Sequence, residues 1–396
     1  MAEPGPILVA PAQDTAPVGM REFLLYFLSL GAFGFGGPIA LAGYMQRDLV
    51  ERKRWISKQD YVRGLALAQL APGPLAAQLA IYLGWARRGV LGATLAGLAF
   101  VGPSFLMVMV LSAFYLRFGE LGWMQGAFYG IGAAVIAIVA RGASKLLASS
   151  VGRDRLLWAI VLVNGIVVAW TEAELLWVLA VSGLVVMIWR LLRERAREPG
   201  ATVASVIPLW LVTGLHGPAS GGTLARILGF FAKAAVVVFG SGLAVVPFLH
   251  GGVVGDYAWL TERQFLDAVA VSMITPGPVV ITVAFIGYLV AGPVGGLLAA
   301  LGMFLPTYLA VVLTAPSFHR VTANRHLKAV VDGVTAAATG AIAGAVVVLG
   351  RRAITDPATV AIALVTFLVL VLVRRVPEPL LIIAAGAVGI ALTQVR

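Results

Sequence analysis

The chain has 396 residues, 60% of them hydrophobic and only 12% charged, a balance that excludes an ordinary soluble domain. The formal charge of +11 would point to nucleic acid in a soluble protein, but most Arg and Lys stand at the ends of apolar runs, where they act as topology signals, so no nucleic-acid partner is expected. Cysteine is absent and His216, His250, His319 and His326 are scattered, which leaves no thiolate chemistry, no disulfide and no ligand spacing for a metal, and no cofactor is expected.

Residues 1–20 have neither a basic start nor a long apolar core and read as a tail, not a cleavable signal. Apolar segments follow at 21–45, 61–83, 90–114, 122–147, 156–170 and 175–192, most near the roughly 17 to 25 residues that cross a hydrocarbon core. A linker at 193–223 opens on basic residues and contains SVIPLWLVTGL, too short to span and expected to be interfacial. The second half, 224–396, repeats the series at 224–249, 265–288, 291–315, 327–350, 357–373 and 379–395.

An offset of 204 lays the second half on the first: Phe35 and Gly36 fall on Phe239 and Gly240, Trp55 on Trp259, and Pro72-Gly73-Pro74 on Pro276-Gly277-Pro278. With one residue removed, Gly92 meets Gly295 and Gly130 meets Gly333. This is an internal duplication. Arg47, Arg52, Lys53, Arg54 and Lys58 make the first joint basic, whereas its counterpart around Asp256, Glu262 and Arg263 has little positive excess. The halves are therefore expected to face opposite ways.

Opposite facing requires an odd number of crossings per half. The fold expected is an all-α polytopic membrane protein of two inverted homologous halves, each with about five transmembrane helices plus a re-entrant or broken Pro-Gly-Pro hairpin. Arg351 and Arg352 fall on the wrong side of that scheme. If the hairpins cross instead, the halves are parallel.

Each proline lacks an N–H and displaces the carbonyl four residues back, which frees the carbonyls of Ala68 and Leu70, or of Ser272 and Ile274. Such groups are tolerated in a membrane only inside protein or along a polar cavity. The helices starting at Leu75 and Val279 present unpaired N–H groups and the positive end of the macrodipole, a cradle for an anion. Gln69, Gln78, Ser272, Thr275 and Thr282 stand near the breaks, and Ser104 and Thr307 follow prolines at matched positions. The glycines of FGFGGP, residues 33–38, and of VFGSGLAVVP, residues 238–247, either pack helices closely or expose further N–H donors. Lys233 is a cation well inside an apolar run, at the position of Ser29 in the first half; it either serves the anion or snorkels to the interface. Trp55 and Trp259, followed by Ser57 and Thr261, read as interfacial anchors and helix N-caps. No carboxylate pair, His cluster or nucleophile elbow lies in the apolar runs, so no enzyme is expected.

FGFGGPIALAGYMQRDLVERKRWISKQDY followed by LAQLAPGP, with the second-half repeat FGSGLAVVPFLHGGVVGDYAWLTERQFLDAVAVSMITPGP, resembles the chromate ion transporter family in its long, two-domain type. The resemblance covers nearly the whole chain after residue 20. It implies export of chromate from the bacterial cytoplasm across the plasma membrane and chromate resistance, with sulfate as the similar oxyanion; a sulfate or other oxyanion carrier is the alternative. Carried onto this sequence, the family motif falls on Phe35, Gly36, Gly37, Pro72, Gly73 and Pro74, and on Phe239, Gly240, Gly242, Pro276, Gly277 and Pro278. Ser241 departs from the double-glycine pattern. The partners implied are chromate and membrane lipids, with homodimerisation left open.

Overall fold

The run 21–45, expected as one crossing, is two helices that fold back on each other. The computed structural model describes residues 16–35, 37–119, 121–152, 154–171, 176–194, 221–237, 239–240, 245–317, 325–373 and 376–394. Most of the tail, most of the linker with SVIPLWLVTGL, and Gly36, Ser241 and Gly242 lie outside the described residues. Helix α1 (Met20–Phe33) ends at Gly34, and α2 (Gly37–Met45) continues into a wide π-type turn, Gln46–Arg52. The Ala16 N–H donates to the Arg54 carbonyl at 2.9 Å, and the Lys53 ammonium lies 5.5 Å from the Tyr26 ring centroid. A straight helix would hold residues 16 and 54 more than about 50 Å apart, so the chain reverses at Gly34–Phe35. Glycines at 34, 36 and 37 weaken the helix there, and Pro38 fits the first turn of the next.

Ser57 caps α3 (Lys58–Leu70) by accepting the Asp60 N–H at 3.0 Å. The Pro-Gly-Pro element then reverses the chain into α4 (Leu75–Phe118), and Gly64 packs so tightly on Tyr82 that a Cβ there would overlap the ring. Helix α3 and the start of α4 are thus a second hairpin. Helix α4 kinks at Arg88 (φ −150°, ψ 35°) and Gly89 (φ 59°, ψ −147°), and its longer part returns along the first, with Gly84 against Gly92.

The second half repeats this in detail. Helices α8 (Gly221–Val237) and α9 (Val245–His250) lead into a π-type turn, Gly251–Asp256. The Trp55 and Trp259 N–H groups donate to Leu49 and Val253, each at 2.8 Å. A capping box of Thr261 and Gln264 starts α10 (Glu262–Ile274). A short tight turn, Val279–Ile281, leads into α11 (Thr282–Thr314), which kinks at Ala291 (φ −144°, ψ 29°) and Gly292 (φ 63°, ψ −158°).

The remaining helices are exchanged between halves. Helix α5 (Gly122–Ser150) packs on α13 (Pro357–Leu372) and α14 (Glu378–Gln394) of the second half. Its counterpart α12 (Arg325–Ala353) packs on α6 (Arg155–Thr171) and α7 (Leu176–Glu194) of the first. Small residues allow the approach: a Cβ on Gly130 would overlap the Ala385 carbonyl, and one on Gly340 that of Val161. The equivalent helices α4 and α11 run antiparallel, since Thr94 near the start of one long arm bonds Tyr308 of the other at 2.7 Å, while Met109 meets Gly296.

Helices α4, α5, α11 and α12 are long and apolar enough to cross a membrane, and shorter apolar helices accompany them. Large apolar side chains such as Val110, Leu313 and Leu372 are exposed on outer faces, as contact with hydrocarbon requires. The chain is an all-α multi-pass membrane protein.

Candidate functional site

The four chain reversals meet, and they meet crosswise. Gly73–Pro74 (β1) of the first half pairs in parallel with Phe239–Gly240 (β2) of the second, Gly73 opposite Phe239 and Pro74 opposite Gly240. In the mirror contact the Gly277 N–H donates to the Gly34 carbonyl at 2.8 Å. Each Pro-Gly-Pro turn therefore docks on the glycine motif of the other half. Irregular backbone at this depth finds its partners inside the protein, as lipid burial demands.

The same exchange governs the side chains behind the turns. Thr307 of the second half packs on Gly73, and Ser104 of the first packs on Gly277. The two glycines have φ of +130° and +98°, which L side chains rarely adopt. A Cβ on Gly73 would lie 2.7 Å from Thr307 Oγ1 and 2.8 Å from Gln78 Nε2, and one on Gly277 would overlap Ser104 Oγ.

Gln78 acts on the backbone. Its Nε2 donates to the carbonyls of Ala71 at 3.1 Å and Pro72 at 2.6 Å, while its buried Oε1 has no hydrogen-bond partner among the described residues. The carbonyls of Ala71 and Pro72, at the turn itself, are thus met by a side chain. Among the hydroxyls, Ser272 donates to Val269, Thr275 to Val271 and Thr282 to Val279, each at 2.7 Å. Ser104 donates to Gly31 at 3.1 Å and Thr307 to Met303 at 2.9 Å. These protons are committed to local carbonyls, so in this geometry the hydroxyls do not have them free to donate elsewhere. Helix α4 begins after Pro74 with no side-chain cap, so its first N–H groups keep the character expected of them.

At and just after the two Pro-Gly-Pro turns, Gly73, Pro74, Gln78, Thr275, Pro276, Gly277, Pro278 and Thr282 are buried, while Pro72, Phe35 and Gly37 are half-buried. Phe239 and Gly240 join through their backbones. Gln69, near the end of α3, and Lys233, on α8, are exposed.

Sequence reading missed two polar contacts. Asp267 of α10 is buried and accepts a hydrogen bond from Tyr115 of α4 at 2.6 Å; a carboxylate in an apolar run was the available signal. Glu262 accepts from His250 Nε2 at 2.8 Å and forms an ion pair with Arg352. That pairing gives Arg352 a local electrostatic partner, while its place against the charge pattern stands without a structural explanation.

Two homologous halves, broken helices and apices completed across the halves are the architecture of a membrane transporter. A family model described as chromate transporter matches residues 21–187 and 225–390. The chain belongs to the chromate transporter family. It is 53% identical to a chromate transport protein of Cupriavidus metallidurans over 98% of this chain and 97% of that one. It is 50% identical to a probable chromate transport protein of Synechococcus elongatus, over 94% and 95% of the two chains, and 33% identical to a chromate transport protein of Pseudomonas aeruginosa, over 85% and 82%. No solved structure matches the chain.

Proposed function

We propose that this chain exports chromate from the bacterial cytoplasm across the inner membrane and so confers chromate resistance. The observation that carries the reading is the crosswise docking of the two Pro-Gly-Pro turns, with Val279–Ile281 packed against α4. In this reading the helix starts at Leu75 and Val279 converge near the midplane and hold a tetrahedral dianion by backbone N–H groups and dipoles, without metal or covalent chemistry. Phe35, Gly37 and the backbone of Phe239 and Gly240 line the opposite wall.

The antiparallel packing of α4 on α11 supports inverted halves related by a two-fold axis in the membrane plane. The hydrogen bonds that join Ala16 to Arg54 and Arg87 to Val18 gather the basic joints at one end, which the positive-inside rule assigns to the cytoplasm. The hairpins of each half then enter and leave on one side. An inside-negative potential of about 100 mV favours exit of a dianion by roughly 4 to 5 kcal/mol, enough to drive export alone.

The test is chromate uptake into everted vesicles with an imposed interior-positive potential and sulfate as competitor. Potential-driven accumulation that sulfate blocks weakly is the expected result. Absence of accumulation, or strong preference for sulfate, overturns chromate as the cargo.

A further inference from the structure

A cavity of about 610 Å³ opens between α1, α2, α5 and the start of α14, and its lining includes Gly34 and Phe35. Those residues are the turn that receives the Gly277 N–H, so the cavity leads from the surface to the crosswise junction. Its wall on α5 carries Arg141 and Lys145, one helical turn apart and therefore on one face. Arg141 is half-buried in an apolar helix, and neither side chain has an ion pair or hydrogen bond among the described residues. Across the cavity, the Tyr26 hydroxyl is buried and also lacks a partner. Two carboxylates share the space: Asp48 is held by Arg47 at 3.1 Å and Arg52 at 3.6 Å, and Glu378 begins α14. Among the described residues, two cations and a hydroxyl donor are thus left uncommitted against one carboxylate without an ion pair.

The duplication supplies an internal comparison. Gly344 and Val348 stand where Arg141 and Lys145 do, and Phe230 where Tyr26 does. There Phe230 sits among rings: it stacks on Phe248 at 5.2 Å and meets Tyr257 and Trp259 edge-on at 5.5 and 5.7 Å. The fold therefore does not require a polar wall at this position. The cations and the unpaired hydroxyl are particular to one end.

We propose that this cavity is a separate binding site for a tetrahedral oxyanion, occupied before the ion reaches the junction, with Arg141 as its principal contact and Lys145 and the Tyr26 hydroxyl as further donors. A guanidinium fork engages two oxygens of such an ion at once. Glu378 keeps the net charge of the wall low, so the ion is held without being trapped, as passage requires. The proposal rests on the transport reading for its direction and extends it to a second site.

The experiment compares wild type with R141Q, R141K and Y26F in two assays: chromate uptake into everted vesicles, and binding of chromate, sulfate and molybdate to the purified full-length protein by calorimetry. R141Q is expected to raise the KM for chromate presented at the cytoplasmic face about ten-fold or more, the loss of one charge-assisted contact. The KM at the opposite face, measured in right-side-out vesicles, stays unchanged, and R141K recovers part of the loss. Y26F, which only deletes a hydroxyl, gives a smaller shift of the same sign and serves if R141Q fails to insert. Wild-type KM values in R141Q and Y26F overturn the proposal, as does an equal change at both faces. A wild type that carries no chromate but binds sulfate or molybdate through Arg141 removes the chromate reading and leaves the cavity site standing. Binding of none of the three oxyanions overturns the cavity site.

Discussion

Gly277 donates its N–H to the Gly34 carbonyl at 2.8 Å, and behind that bond Ser104 fills the space a side chain on Gly277 would need. G277A should therefore cost about 1–3 kcal/mol from backbone strain alone, with further loss from the overlap. Transport is expected to fall to background while the protein still inserts. S104A in the same chain removes the overlapping hydroxyl and should recover stability in part. A double-mutant cycle on thermal stability in detergent reads the coupling, and strict additivity of the two changes would contradict the packing described.

Gln78 closes the first break from within. Q78L leaves the buried carbonyls of Ala71 and Pro72 without their donor, at a cost of about 1–3 kcal/mol for each such group. Q78E should be nearly as damaging, because a carboxylate cannot donate to either carbonyl. Thermal unfolding followed by size-exclusion fluorescence checks both, and an unchanged midpoint in Q78L would remove Gln78 from this role.

The Tyr115–Asp267 bond ties α4 to α10. Y115F strands a buried carboxylate and is expected to destabilise the protein more than the double change Y115F/D267N, which removes the charge together with its partner. The comparison is by thermal stability of purified protein. The opposite order would show that Asp267 has another source of compensation.

Glu262 joins His250 and Arg352 in one ionic cluster. E262Q removes the carboxylate that both side chains engage and is expected to lower the thermal midpoint modestly, a cost of about 1 kcal/mol or less because the carboxylate and Arg352 are part-exposed. R352Q, which keeps the His250 contact, should cost less. An unchanged midpoint in E262Q would mean that the cluster carries no stability.

Much of this arrangement was legible from residues alone. The duplication, the two Pro-Gly-Pro breaks and the Ser57 and Thr261 caps depend on local chemistry that sequence displays directly. The reversal at Gly34–Phe35 was hidden because an unbroken apolar run looks the same whether it crosses or returns; the hydrogen bond between Ala16 and Arg54 distinguishes them. Gln78 was recognised by position but assigned to an anion, whereas its donors serve the chain's own carbonyls. Lys233 was singled out because a cation in an apolar run attracts notice, while Arg141, equally unusual, became legible only when the cavity placed it opposite Tyr26. Pairs such as Tyr115 and Asp267 depend on how helices from distant segments pack, which periodicity does not encode.

The exchange of turns between the halves has a bearing on why they occupy one polypeptide. A lone half would present its Pro-Gly-Pro turn and its glycine turn without the backbone partners that the other half supplies, in surroundings where water cannot substitute. The linker is then a tether that keeps the complementary half at an effective concentration on the order of millimolar, so that each half meets its mate as soon as both are inserted. Cutting the chain within the linker and supplying both pieces together should preserve function, whereas either piece alone has no means to close its own turns.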